Sequence, residues 1–388
     1  MGWQSELFWV RLPYILTGAG AINELGRIVK NIGAKKPVII TDSGIVKAGL
    51  LNKAKEPLEK EGLHFAVFDR CEPNAPVKII QDCAEFVRKG RFDLLIGLGG
   101  GSVLDTTKLA AIAATGENEN IAGYATTGPP RHGLPRILIP TTAGTGSEAS
   151  TAAVLTDREG IVRSVRSEHC LADFVICDPE LTLKLPLKLT AESGIDAFCH
   201  ALEAYVTPRA NALTEALDEM ALKLISESLR PAYRSGDKSI EARYNMMVAA
   251  TYAMATVSMT GAGLAHALSH AIQSVVNVSH AATLSVILPH VIEFNASVVP
   301  QKYARVAQMM GENIEGMPLA EAGLKAIEAV RRLLTDLNMP QRLGDLGVSE
   351  KQFPRIVQIL FEVNLRNTRN NPRFVTEEDA LTILKKAL

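Results

Sequence analysis

Within the segment SGIDAFCHALEAY (193–205), Asp196 and His200 stand four residues apart among Ile195, Ala197, Phe198, Ala201 and Leu202. On a helix that spacing puts both on one face. A carboxylate in so apolar a surround needs a partner, and a metal ion supplies one. The plainer alternative is a solvated aspartate beside a satisfied core histidine. Downstream, GLAHALSHAI carries His266 and His270, NVSHAAT carries His280, and His290 follows. Five of the eight histidines fall between positions 200 and 290, and from Tyr244 through Ile292 there is no Asp, Glu, Lys or Arg. Imidazoles in so uncharged a stretch do not read as solvated surface. One Asp with three His suits a divalent first-row metal with one position left for substrate. His266 and His270, one turn apart, could both ligate, or one could ligate while the other lines the cavity; spacing does not choose.

A second kind of chemistry is written in glycine. GLGGGSVLDTTK (97–108) follows an apolar run and opens a helical pattern, where backbone N–H groups and the helix dipole can hold a phosphate. The strict GxGxxG pattern is not met, because Ser102 stands at the third glycine position. Taken alone, the segment could be only a tight strand-to-helix turn. IPTTAGTGSE (139–148) ends another apparent strand in the same style, and two such loops at neighbouring strand ends fit a diphosphate better than one turn does. Asp42 closes VIITD, where a carboxylate can accept from ribose hydroxyls and repel a 2′-phosphate. It can equally be a turn residue or helix N-cap.

These groups need scaffolds. KPVIITD, HFAVFD, FDLLIGLGGG, RILIPTT and DFVICDP are β-rich runs separated by helical patterns such as IVKAGLLNKAKEPLEKEG and PVKIIQDCAEFVRKG. That repetition predicts a parallel sheet with helices on both faces. Past LTLKLPLKLTAE the β signal fades into helical periodicity with stops at Gly236, Gly311, Pro340 and Gly347, so a boundary is expected near Pro186. The expected organisation is an α/β dinucleotide-binding domain over 1–185 and an all-α metal-binding domain over 186–388. At 388 residues, two domains of ordinary size are natural. With 41 Lys plus Arg against 42 Asp plus Glu, no summed field would hold a nucleic acid or an anionic membrane. The uncharged stretch is rich in Ala, Ser, Thr and Met and broken by Gly261, Gly263, Asn277 and Pro289, which favours buried helices over a membrane span. Five cysteines without CxxC spacing fit a reducing, cytoplasmic compartment. Glu6 and Arg11 interrupt any secretory apolar region, and Glu6 stands where a myristoylation signal needs Ser or Thr.

With these motifs in view, the chain resembles the iron-dependent (group III) alcohol dehydrogenases, a family that includes lactaldehyde reductase and propanediol dehydrogenases. GGGSVLDTTK, PTTAGTGSE, GIDAFCHALEAY, GLAHALSHAI and ILPHVIEFN carry the resemblance, which runs from LPYILTGAGA to NPRFVTEEDAL. It implies a dehydroquinate synthase-like architecture and metal ligands at Asp196, His200, His266 and His280, with His270 as the non-ligand histidine facing substrate and nicotinamide. It also implies NAD contacts from Asp42, Gly99, Gly100, Ser102, Thr141, Thr142 and Thr145, and a homodimer or larger homo-oligomer. Three departures from the family pattern stand out. Ser279-His280-Ala281 replaces the usual Pro-His-Gly, Arg163 stands for a common lysine near the cofactor, and Ala152 and Ala153 replace a polar residue of some diol-active relatives.

The expected reaction is reversible hydride transfer between NAD and a small primary alcohol or aldehyde, with iron, or alternatively zinc, as Lewis acid at the substrate oxygen and His270 passing a proton toward solvent. Rival readings are a glycerol or diol dehydrogenase, a lyase of the dehydroquinate synthase type, or a non-enzymatic metal-binding role. The lyase would need several Lys and Arg among the ligands, which the 244–292 stretch lacks.

Overall fold

The computed structural model describes residues 11–116, 119–235 and 238–388; Glu6 and Gly236 lie outside them. Eight strands are present among these residues: β1 (Tyr14–Thr17), β2 (Pro37–Ile40), β3 (Ala66–Phe68), β4 (Leu94–Gly99), β5 (Arg136–Pro140), β6 (Ala152–Thr156), β7 (Val162–Arg166) and β8 (Phe174–Cys177). Six form a parallel sheet of order β1-β8-β5-β4-β2-β3, while β6 and β7 make a separate antiparallel hairpin. The five β-rich runs of the sequence all become sheet strands. In β2, β4 and β5 every residue is buried, which is why they read as unbroken apolar runs. Val38, Ile40 and Leu95 pack into one helical layer, and Ile39, Leu94 and Ile96 into the other.

Three strands lack such a run. β1 is a mostly exposed edge, and the hairpin alternates buried Ala153, Leu155 and Val165 with partly exposed residues that include Arg163 and Arg166. Strand order reverses between β2 and β4, because the chain leaves β2 toward β3 and β4 toward β5. Gly97 pairs with both Ile40 and Leu138, so the carboxyl ends of β2, β4 and β5 stand side by side. Ligand crevices open outside such reversals.

From Leu187 onward the described residues form helices and no strand. Pro186 immediately precedes the helix Leu187–Val206. The helices Ile240–Thr260 and Leu264–Gln273 turn by 96° at the intervening break. Among the described residues no single helix is long and apolar enough to cross a membrane; that bent pair has the length and composition for it, but its Met246, Met247, Ala250 and Leu268 are buried in the protein. One apolar core runs from the sheet into the helices, joining Leu138 and Val175 to Phe198, Leu229, Leu264 and Ile287. Two glycines of the second loop make that junction possible. A Cβ at Gly144 would sit 2.7 Å from the Cα of Ser193, and one at Gly146 would overlap Met254. Part of the glycine signal therefore belongs to packing between the two halves rather than to a ligand.

Candidate metal centre and dinucleotide cleft

Asp196 and His200 lie one turn apart on the helix Leu187–Val206, as their spacing requires. The helix Leu264–Gln273 brings His266 opposite them, and His280 is the first residue of the helix His280–Asn295. Four polar groups converge: Asp196 Oδ1 lies 3.5 Å from His266 Nε2, 3.6 Å from His280 Nε2 and 3.8 Å from His200 Nδ1. Asp196, His200 and His266 each offer an atom within 4.8 Å of the others. Asp196 Oδ1, His200 Nδ1 and His266 Nε2 are buried without a hydrogen-bond partner. Such orphans are costly unless something satisfies them. Ligand atoms at about 2.1 Å around one tetrahedral cation sit roughly 3.4 Å apart, so the cluster fits a divalent metal.

The supporting contacts orient these rings. His266 Nδ1 donates to Glu203 Oε2 at 2.6 Å, leaving Nε2 as the atom that carries a proton or meets a metal. Glu203 also accepts from the backbone N–H of Gly263 (2.7 Å) and Ala265 (2.6 Å), capping a helix whose own N-cap residue, Gly263, has no side chain. A Cβ at Gly263 would sit 2.9 Å from Glu203 Oε1, so glycine is needed there. Gln273 donates from Nε2 to the Val278 carbonyl, so its Oε1 faces His280 Nδ1 at 2.9 Å and accepts its proton. His280 Nε2 is thereby left to face Asp196. Ser279 has φ −64° and caps the helix through its hydroxyl, so the turn presenting His280 keeps a backbone that proline would also adopt.

Electrostatics follow from burial and neighbours. Burial would raise the Asp196 carboxyl, but His200, His280 and His266 hold it below the usual range. Burial brings His200 down to about 3 and His280 to about 4 against the pull of Asp196. His266 differs: Glu203 and Asp196 outweigh burial and raise it to about 9. A proton thus holds that place until a cation displaces it. His270 is pushed well below its ordinary value by burial, then by His280 and His266. Its ring centre is 5.0 Å from that of His280 and 6.4 Å from that of His266.

One cavity of about 580 Å³ is lined by Asp196, His200, His266, His270 and His280 at one end and by Gly100, Ser102, Thr142 and Thr145 at the other. Among the described residues no side chain caps the helix Gly101–Ala113, so the N–H groups of Gly101 and Ser102 remain for an anion. A Cβ on Gly100 would meet nothing closer than Thr142 at 3.6 Å; the space it leaves open is a cradle for a close-lying ligand.

Two sequence profiles match the chain: "Iron-containing alcohol dehydrogenase" over residues 13–179 and "Fe-containing alcohol dehydrogenase family, C-terminal" over residues 190–388. The chain belongs to the iron-containing alcohol dehydrogenase family. It is 36% identical over 376 residues to a 1,3-propanediol dehydrogenase of Klebsiella pneumoniae, covering 95% of this chain and 96% of that one. It is 35% identical to an NAD-dependent methanol dehydrogenase of Bacillus methanolicus, covering 97% and 98%. The crystal structure of a 1,3-propanediol oxidoreductase superposes with a TM-score of 0.94 at 34% identity, covering 99% of this chain and all of that one. As a member of this family, the chain is an NAD-dependent, metal-dependent oxidoreductase of small alcohols and aldehydes, with the α/β and helical architecture that the resemblance implies.

Of the residues expected from sequence, Asp196, His200, His266, His270, His280, Gly100, Ser102, Thr142 and Thr145 share the cavity of this alcohol dehydrogenase. Four others, Gly99, Thr141, Asp42 and Arg163, stand outside its wall. Gly99 lies under the helix, where a Cβ would come within 2.6 Å of Val103, and the Thr141 N–H donates to the Gly99 carbonyl. Asp42 Oδ1 accepts from Gly44 N (2.7 Å) and Ile45 N (2.9 Å), capping the helix Ser43–Lys47. Arg163 donates to Asp157 at 2.5 Å, and the pleat turns it away from Val162, Ser164 and Arg166, which line the cavity. Sequence reasoning passed over Glu203 and Gln273. Each stands seven residues after a candidate ligand, Asp196 and His266 respectively, on the same helix face; that spacing was the available signal.

Proposed function

We propose that this enzyme interconverts a small primary alcohol and its aldehyde with NAD, using Asp196, His200, His266 and His280 as metal ligands and His270 as the proton-handling group. The observation that carries this reading is one continuous cavity, with unsatisfied ligand atoms at one end and an uncapped helix N-terminus at the other. Bound there, a divalent cation supplies a Lewis acid and the nicotinamide supplies hydride exchange. The chain's own residues do the rest. Glu203 and Gln273 hold two imidazoles in register, while Val154, Met254, Val257 and Ala262 add apolar wall to the same cavity. His270, kept neutral by its surroundings, can accept a proton from the alcohol oxygen and return one during reduction.

The cofactor is held by Gly100, Ser102, Thr142 and Thr145, with Gly99 and Thr141 shaping the loops behind them. Asp42, with one carboxylate oxygen outside the cap, addresses the adenosine ribose. The α/β unit runs to residue 185 and the helical unit from 186. Iron occupies the site and zinc competes for it, since Asp with three His accepts either. The chain works as a homodimer or larger homo-oligomer in the cytoplasm, a reading supported by its five buried free thiols as regards the compartment. Anaerobic purification with metal analysis, followed by an NADH-coupled aldehyde panel, tests the reading. One metal per chain and NADH oxidation by a primary aldehyde are expected; metal-independent turnover would overturn it.

A further inference from the structure

The cavity contains a cation that neither hydride transfer nor metal binding needs. Arg166, the last residue of β7, lines it together with Ser164 and Asn367. Its guanidinium donates from Nη2 to Asn367 Oδ1 at 3.4 Å, and Asn367 is itself buried. Among the described residues no carboxylate lies within 4.0 Å of it, although Asp105, Glu192 and Asp196 all line the same cavity. Asp105 is engaged by the Ser147 hydroxyl at 2.6 Å and by the Val154 N–H at 3.0 Å. Asp196 faces the histidines. The charges that act on Arg166 are those of Arg366 and Arg209, both exposed and both positive. Burial and these two neighbours bring Arg166 down to about 10, which leaves it fully cationic at neutral pH.

A guanidinium held in a cavity without a counterion is expensive, and the expense is recovered when an anion arrives with the ligand. Its planar fork suits a carboxylate, sulfonate or phosphate. The anionic part of the dinucleotide already has its place at the uncapped helix Gly101–Ala113 and the Thr142–Thr145 loop. Arg166 belongs to the other end, since its strand β7 packs against the helix Leu264–Gln273 that carries His266 and His270, the Val162 N–H donating to Ser274 Oγ just past that helix, and the helix Leu365–Arg369 that carries Asn367 packs on the same helix. Nothing in the sequence pattern singles it out; the hairpin register, which turns Arg163 outward and Arg166 inward, does.

We propose that Arg166, oriented by Asn367, is a specificity-determining residue, and that the preferred substrate is an aldehyde or alcohol carrying an acidic group at its far end. The proposal rests on the dehydrogenase reading of the same cavity and names its substrate class.

The test compares kcat/KM of the metal-loaded enzyme with NADH for three charged aldehydes and one neutral control. Succinate semialdehyde supplies a carboxylate, 2-oxoethanesulfonate a sulfonate and glycolaldehyde phosphate a phosphate; the methyl ester of succinate semialdehyde is the control. At least one charged aldehyde should exceed the ester by about 10- to 100-fold, and whichever does so identifies the acidic group. Arg166→Ala should abolish that preference, mainly through KM, and Arg166→Lys should restore part of it. NADH affinity, followed by nicotinamide fluorescence, should stay at the wild-type value in both variants. If the ester is reduced and no charged aldehyde exceeds it, the proposal falls while the dehydrogenase reading stands. If NADH affinity drops with the charged-substrate preference in Arg166→Ala, the arginine serves the cofactor and the proposal is overturned. If no aldehyde of either kind oxidises NADH, the dehydrogenase reading fails and takes the proposal with it.

Discussion

The two ends of the cavity recognise their ligands by opposite means. At the glycine end the working groups are backbone N–H donors and small hydroxyls, left accessible because Gly100 has no side chain and the helix Gly101–Ala113 has no cap. At the histidine end they are side chains from three helices, mutually perturbed, and Asp196, His200 and His266 are buried with one atom each lacking a partner. A backbone site is built by the local turn and tolerates sequence drift around it. A side-chain site depends on how distant helices dock, so it should fail sharply when one member is removed.

That contrast is broken most forcefully at the ligands. His200→Ala or His266→Ala should empty the metal site and lower turnover by roughly 10³-fold, while circular dichroism shows the helices intact, because the apolar core holds them. Full metal occupancy in either variant would sink the assignment. His270→Ala should keep its metal and lose about 10²-fold in turnover, the scale of one proton-transfer group. Metal lost with His270 yet retained without His280 would reverse their roles.

Glu203→Gln probes support rather than ligation and should weaken metal binding by about 10- to 100-fold. It also carries a pH signature. Because His266 holds its proton up to about 9, metal affinity in the wild type should rise with pH below about 9, by at most about tenfold per unit for one displaced proton. Removing the Glu203 charge lets His266 release that proton at lower pH, so the dependence between pH 7 and 9 should flatten in the variant. An equally steep profile would show that Glu203 does not set the ring's basicity.

At the other end the effects should be smaller. Gly100 has φ −79° and room for a methyl group, so Gly100→Ala should fold normally and weaken NADH by roughly 3- to 10-fold, the worth of about one hydrogen bond, with metal content unchanged. Gly101→Ala sharpens the contrast: its Cβ would meet Thr145 at 2.7 Å, so the loss should appear as lower thermal stability. The smallest change is expected at Asp42→Gly, where the cap costs only a few tenths of a kcal/mol. NADP efficiency relative to NAD should then improve by about tenfold or less, the repulsion being partly screened. An unchanged ratio of kcat/KM values would leave Asp42 a helix cap and nothing more.

Much was legible without coordinates because it is local. Unbroken apolar runs mark strands buried on both faces, as in β2, β4 and β5, and glycine before a helical pattern marks the phosphate-type turn at residues 99–102. The edge strand β1 and the hairpin β6–β7 were not legible, since β1 is mostly exposed and the hairpin buries only every other residue, so neither is buried on both faces. Helical spacing put Asp196 and His200 on one face and drew attention to the uncharged stretch with its histidines.

Periodicity, however, says only which residues share an element's face. Whether His266 or His270 meets Asp196 depends on how two helices dock, and that docking is set by a carboxylate 63 residues from the ring it orients, Glu203, which also caps the second helix. Whether Arg163 or Arg166 enters the cavity depends on which face of a two-stranded hairpin is turned toward the helices. In the glycine loops, sequence could not separate Gly100, which leaves space for a ligand, from Gly144 and Gly146, which leave space for Ser193 and Met254. Residue types and their spacing determined what chemistry this chain carries; close packing between elements far apart in sequence decided which of those residues face it.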